Sequence, residues 1–198
     1  MIFQYAQLGT DTIRLIRFHP RSTTSDLHVT LAHQAGYSAQ DVHYSVLSHE
    51  PISRPSEEQQ KAITLNGRTR MLDANAWCAL HAVWKDHQDH RQQEDQRFWF
   101  EALCVNHNDL FEVEAQRRQL SSIYASADQV LLWMKSDDES IHVEGDLLKR
   151  AGIYVLQAKD REALRGAKTV LLLTVEGRRV VEIPSNRLEG PDGPRGSL

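Results

Sequence analysis

Apolar residues recur along this chain with two periods, near 2 and near 3.6, which mark strands and helices respectively. Residues 13–18 read as a short strand closed by His19-Pro20. Residues 27–31 read as a second, with Leu27, Val29 and Leu31 alternating against His28 and Thr30. Residues 42–47 form a third. Pro51 and Pro55 among polar neighbours make 49–60 a loop. The runs 62–65 and 69–72 flank Asn66-Gly67. That dipeptide between two extended runs is a strong hairpin signal, because a tight type I′ turn needs positive φ at both central residues.

The rhythm then lengthens. Asp73 is placed to cap a helix whose apolar stripe is Trp77, Leu80 and Trp84, with Ala76 and Val83 beside it. The stripe fades into a polar run over 87–97. Residues 98–105 are nearly continuous in apolar and aromatic side chains, which predicts a strand buried on both faces. Asn106-His107-Asn108 turns the chain into a helix over about 110–126, with Val113, Leu120, Ile123 and Ala127 on one face. Residues 129–134 look like another buried strand. Strand, helix, strand in this order is a βαβ unit and predicts a parallel pair. Further on, 146–157 can form a helix, and 168–174 with 179–183 can form a hairpin around Glu176-Gly177. The tail 184–198 is rich in Gly and Pro and poor in apolar residues, the pattern of a disordered end. There is no internal repeat.

Composition narrows the class. A length of 198 residues suits one domain with extensions. With 23 basic and 27 acidic residues the net charge is −4, and no basic stripe with interleaved aromatics is present. Both argue against a nucleic-acid binder. Cys78 and Cys104 are the only cysteines, too few for a disulfide framework, so a reduced, cytoplasmic chain is expected. No secretory leader pattern opens the chain, and no apolar run approaches a membrane span, so no membrane is expected.

The block Phe98-Trp-Phe-Glu-Ala-Leu-Cys-Val-Asn-His-Asn-Asp-Leu-Phe-Glu112 is followed in step by Gln116, Ile123, Tyr124, Ala127, Val130 and Trp133. It resembles the Trp-Ile-Asp-Ala-Ile/Leu-Cys-Ile-Asn-Gln block of fungal heterokaryon-incompatibility (HET) domains and the positions that follow it there. Ile13-Arg-Leu-Ile16, Tyr44-Ser-Val-Leu-Ser48 and Ile63-Thr-Leu-Asn-Gly67 resemble that family's other blocks. Some positions depart from the pattern. Glu101 stands for an Asp, His107 for a Gln, and Met134-Lys135 for Leu-Gly; the Tyr-x-Trp-Gly ending of the first block is missing, and His49-Glu50-Pro51 stands there instead. The resemblance covers about 11–135, taken as the domain. Residues 136–183 are then a C-terminal extension (a helix plus a hairpin) and 184–198 the tail.

The resemblance implies an α/β, TIR-like fold: a small central parallel sheet with flanking helices and an antiparallel hairpin. It also implies a role in fungal non-self recognition and programmed cell death, acting through a protein partner or self-association. Two alternatives accompany that role. One is an NAD glycohydrolase-like, TIR-type hydrolase, with NAD as substrate and no cofactor otherwise expected. The other is a degenerate, inactive regulatory fragment.

In open α/β sheets functional groups gather beyond the carboxyl ends of the strands. Cys104, Asn106, His107 and Asp109 fall at such an end, before a helix N-terminus that favours an anion, and with Gln116 they are the candidate ligand contacts. Glu101 and Glu112 are the candidate catalytic carboxylates. Glu101, flanked by Phe100 and Ala102 inside a strand, would either face a cleft or pair with a cation. The structural alternatives carry more weight for several of these. Asp109 and Glu112 have capping-box spacing. Gln116, between Val113 and Leu120, suits a structural network reaching the Asn106 loop. Cys104 is more readily a small core hydrophobe than a nucleophile activated by His107. His81, His87 and His90 lack the further ligands a metal site needs.

Overall fold

The computed structural model describes residues 3–9, 11–39, 41–49, 60–90, 95–133, 163–164 and 166–173. The first two strands, β1 (Thr12–Phe18) and β2 (His28–Ala35), pair antiparallel along their length, from Thr12↔Ala35 to Phe18↔Val29. β3 (Ser45–Ser48) is short and wholly buried. β4 (Gln60–Leu65) and β5 (Arg68–Asp73) form the hairpin around Asn66-Gly67. Both turn residues take positive φ, +49° and +74°, as the Asn-Gly pair predicts. The Asn66 side chain also binds the neighbouring strand: its Oδ1 accepts from the Leu31 N–H at 2.8 Å and its Nδ2 donates to the Leu31 carbonyl at 3.0 Å.

Asp73 then caps α1 (Ala74–His90), accepting the Ala76 N–H at 2.9 Å. Ala76, Ala79, Leu80, Val83 and Trp84 form the buried face of this helix. β6 (Phe98–Phe100), α2 (Glu101–Cys104), α3 (Leu110–Ser126), β7 (Gln129–Trp133) and β8 (Val170–Leu173) follow.

The eight strands form one mixed sheet in the order β5-β4-β2-β1-β6-β3-β7-β8. The half from β6 to β8 is parallel throughout, with Val46 opposite both Trp99 and Val130, and Val130 opposite Val170. This is a mixed α/β fold, as expected. The sheet is larger and less uniformly parallel than expected, because β1 and β2 run antiparallel and join the hairpin to the parallel half.

Two local expectations need correction. The first is the strand over 98–105, which stops at Phe100. There the Phe100 N–H turns onto Cys104 Sγ at 3.3 Å, and Val105 N–H closes a helical turn on the Glu101 carbonyl at 3.1 Å. Leu103, Cys104 and Val105 are buried, and a short apolar run does not distinguish a buried strand from a buried helical turn. The second is the βαβ unit. Its two strands are parallel, but β3 lies between them.

In the C-terminal part, 168–174 contributes β8, which pairs parallel with β7 and completes the sheet edge. The second arm over 179–183, the helix over 146–157 and the tail over 184–198 lie outside the described residues.

The core runs on both sides of this sheet. Trp99, Trp133, Tyr44, Tyr124, Phe98 and Phe100 are its largest fully buried aromatic members. Tyr44 ties the start of β3 to the end of α3 by donating its hydroxyl to the Ile123 carbonyl at 2.7 Å.

Candidate functional site

The order β6-β3-β7 brings the carboxyl ends of three parallel strands side by side. Glu101 and the loop after Cys104 follow β6, and His49 follows β3. Asn75, in the first turn of α1, is tied to the end of β7, because its Oδ1 accepts from Trp133 Nε1 at 2.8 Å. This edge is where an α/β sheet places its ligand contacts.

Glu101 occupies a different position from the one its sequence context implies. It opens α2 and is exposed, rather than lying inside a strand. Glu112 meets a buried cation. Arg14, 1% exposed in the middle of β1, donates to Glu112 Oε1 at 2.5 Å and to Oε2 at 2.9 Å. The same guanidinium donates to the Cys104 carbonyl at 2.8 Å and the Ala6 carbonyl at 2.7 Å, and lies 4.7 Å from the Tyr5 ring centroid. Glu112 Oε1 also accepts the Asn106 N–H at 2.6 Å. Burial alone would raise the Glu112 pKa. The Arg14 bonds, the Asn106 N–H and nearby charge outweigh that effect and hold it below the usual carboxylate value. A carboxylate with both oxygens occupied by a bidentate arginine is a structural counterion with little capacity to take a proton.

Asp109 caps α3, accepting the Phe111 N–H at 3.0 Å and the Glu112 N–H at 3.2 Å. The reciprocal half of a capping box is replaced, since Glu112 reaches the Asn106 N–H instead of the cap's own. Gln116 is buried and donates to the Thr12 carbonyl at 3.4 Å, so its network joins β1 rather than the Asn106 loop. The Cys104 thiol is fully buried, and burial pushes its pKa up to about 12 despite the Phe100 N–H and Arg14. A thiol of that kind is not a nucleophile near neutral pH. His107 and Asn108 are exposed on the loop. Among the described residues no three His, Cys, Asp or Glu side chains gather as a metal site would require.

Arg14 is the residue that sequence reasoning missed. Its signal was an arginine set among Ile13, Leu15 and Ile16, since an arginine buried with such neighbours requires a partner. A second missed group sits at the strand ends. His49 Nε2 is 4.0 Å from Asp73 Oδ2, with side-chain exposures of 8% and 16%, and the His49 ring packs edge-on to Phe100 at 5.0 Å between centroids. Burial lowers the His49 pKa to about 4; Asp73 opposes that shift and His107 adds to it. The sequence separation of 24 positions concealed this pair. β4 pairs with β2 only at Thr64 and Leu65, and Asp73 lies at the other end of the hairpin, opposite Gln60.

A family model for the heterokaryon incompatibility protein (HET) matches residues 29–171, most of the chain. The chain belongs to the HET family. No curated protein and no solved structure matches it. In this HET domain the block around Trp99 to Trp133 serves mainly as scaffold: Trp99, Cys104, Ile123, Tyr124, Ala127, Val130 and Trp133 are all buried. Glu112 is tied through Arg14 to β1, which lies ahead of the matched segment. An open groove of about 460 Å³ is lined by Phe3, Gln4, Tyr5, Ala6, Asn66 and Arg68 and includes neither Glu101 nor Glu112. No helix among the described residues is long and apolar enough to cross a membrane.

Proposed function

We propose that this HET domain acts in heterokaryon incompatibility as a signalling module that triggers programmed cell death by associating with a second copy of itself. The observation that carries the reading is at the start of α3, where Leu110 is 78% exposed and Phe111 is 90% exposed. Two adjacent large apolar side chains in water are a liability unless something covers them.

The rest of the helix fits a second copy. Phe111, Glu114, Arg118 and Ser122 recur at helical spacing on one exposed face. Glu114 and Arg118 already pair at 3.1 Å within the helix. In an antiparallel, two-fold packing of two α3 helices, Glu114 of each copy faces Arg118 of the other, and Phe111 lies over the small Ser121 and Ser122 side chains. Opposite charges at symmetric positions make such a surface self-complementary.

Expression in a filamentous fungus tests the function. The wild-type domain is expected to arrest growth, and Leu110→Ser with Phe111→Ser is expected to abolish arrest at unchanged protein level. Undiminished arrest by the double variant would overturn the reading.

A further inference from the structure

The open groove shared by the N-terminal segment and the tip of the β4–β5 hairpin includes none of the exposed apolar residues of α3. It measures about 460 Å³, within the range of about 300–1,000 Å³ usual for small-molecule sites. Two segments line it: Phe3, Gln4, Tyr5 and Ala6 from the chain start, and Asn66 and Arg68 from the hairpin. Both are anchored. Tyr5 donates its hydroxyl to the Leu103 carbonyl at 3.0 Å, and the Asn66 amide is held by its two bonds to Leu31.

The lining favours an anion. Among the described residues no carboxylate lines the groove. Two of its acceptors are engaged, the Ala6 carbonyl by Arg14 at 2.7 Å and Asn66 Oδ1 by the Leu31 N–H at 2.8 Å. The donors are less committed. Asn66 Nδ2 carries two hydrogens, one of which goes to the Leu31 carbonyl. Arg68 interacts within the protein, but a guanidinium has five N–H donors, set in a fork that matches a carboxylate. Arg70, two positions along β5, shares a sheet face with Arg68 and lies 5.8 Å from the Tyr5 ring centroid. Glu112 is matched to Arg14, and Arg68 and Arg70 add positive charge beyond that pair.

The lining also favours an aromatic body. Phe3 and Tyr5 are half-buried and meet edge to face, 4.9 Å between centroids. A further ring packs on such a pair by the same edge and face preferences. An amine would be repelled by the arginines, and an aliphatic acid would gain little from the rings.

We propose that this groove binds a small aromatic carboxylate, with Arg68 and Asn66 at the acid end and Phe3 and Tyr5 against the ring.

Phenylacetate is the probe, titrated into the full chain with 2-phenylethanol, acetate and inorganic phosphate as comparisons. NMR follows the backbone amides of Gln4, Tyr5 and Ala6, the Asn66 side-chain amide and the Arg68 Nε–H. Phenylacetate is expected to shift these resonances saturably. The neutral alcohol, the ringless acid and phosphate are each expected to bind about tenfold more weakly or worse. Arg68→Gln and Phe3→Ala are each expected to lose about tenfold in phenylacetate affinity. No saturable shift up to the solubility limit would overturn the proposal. So would 2-phenylethanol binding as well as phenylacetate, which removes the acid end, or acetate or phosphate doing so, which removes the ring. Because all four probes are compared on the wild-type chain, the test holds even if a variant fails to fold.

Discussion

Removing Arg14 or Glu112 tests how the loop after β6 is held. The guanidinium makes four hydrogen bonds, two to Glu112 and one each to the Cys104 and Ala6 carbonyls, and it is 1% exposed. Glu112→Gln removes the negative charge but leaves the cation buried, and breaking a buried pair from one side costs about 3–5 kcal/mol. Arg14→Met strands a carboxylate that still has the Asn106 N–H, and should cost a similar amount. With a urea m-value of about 2 kcal/mol/M, either loss lowers the unfolding midpoint by roughly 2 M. Arg14→Lys should recover little, because an ammonium cannot reproduce the forked geometry. Arg14→Met combined with Glu112→Leu should cost less than the sum of the single changes, since neither charge is then left unpaired. Urea unfolding followed by tryptophan fluorescence measures all of these. Single variants within about 1 kcal/mol of wild type, or strict additivity in the double variant, would refute the claim that the pair organises this region.

Three further outcomes follow. The His49 pKa of about 4 lies below its unfolded value of 6.5, so the unfolded chain binds the proton in between; stability should fall by up to about 3 kcal/mol as pH drops from 6.5 to 4, and His49→Phe should flatten that slope in urea titrations. Glu112, held below 4.5, contributes stability above that pH that is lost only at lower pH, which separates the two groups. Native labelling with a thiol reagent near pH 8 should modify the half-buried Cys78 and spare Cys104, with both reacting after denaturation. Gly67→Ala should destabilise by about 1 kcal/mol through its φ of +74°, and Asn66→Ala by about 1–2 kcal/mol through its lost bonds to Leu31; unchanged thermal midpoints would count against both.

The local grammar of the chain was legible where one residue decides a local outcome. Asn66-Gly67 announced its hairpin, Asp73 and Asp109 their helices, and the alternation around Val29 its strand. The resemblance carried by Trp99 to Trp133 announced the family. What stayed hidden depended on contacts distant in sequence. Arg14 and Glu112 are 98 positions apart, and nothing near Glu112 marks it as a counterion rather than a free acid. Residues 101–104 turn because Cys104 and Arg14 hold them, while their apolar sequence fits a strand equally well. His49 and Asp73 are 24 positions apart, and only the fold brings the end of β3 to the end of β5.

Sedimentation velocity of the purified chain over a wide concentration range reads self-association through α3 itself. A concentration-dependent monomer–dimer equilibrium is expected for the wild type and a monomer throughout for Phe111→Ser, with the same fold by circular dichroism. A wild type that stays monomeric at every concentration, or a variant that dimerises as well as the wild type, would contradict it.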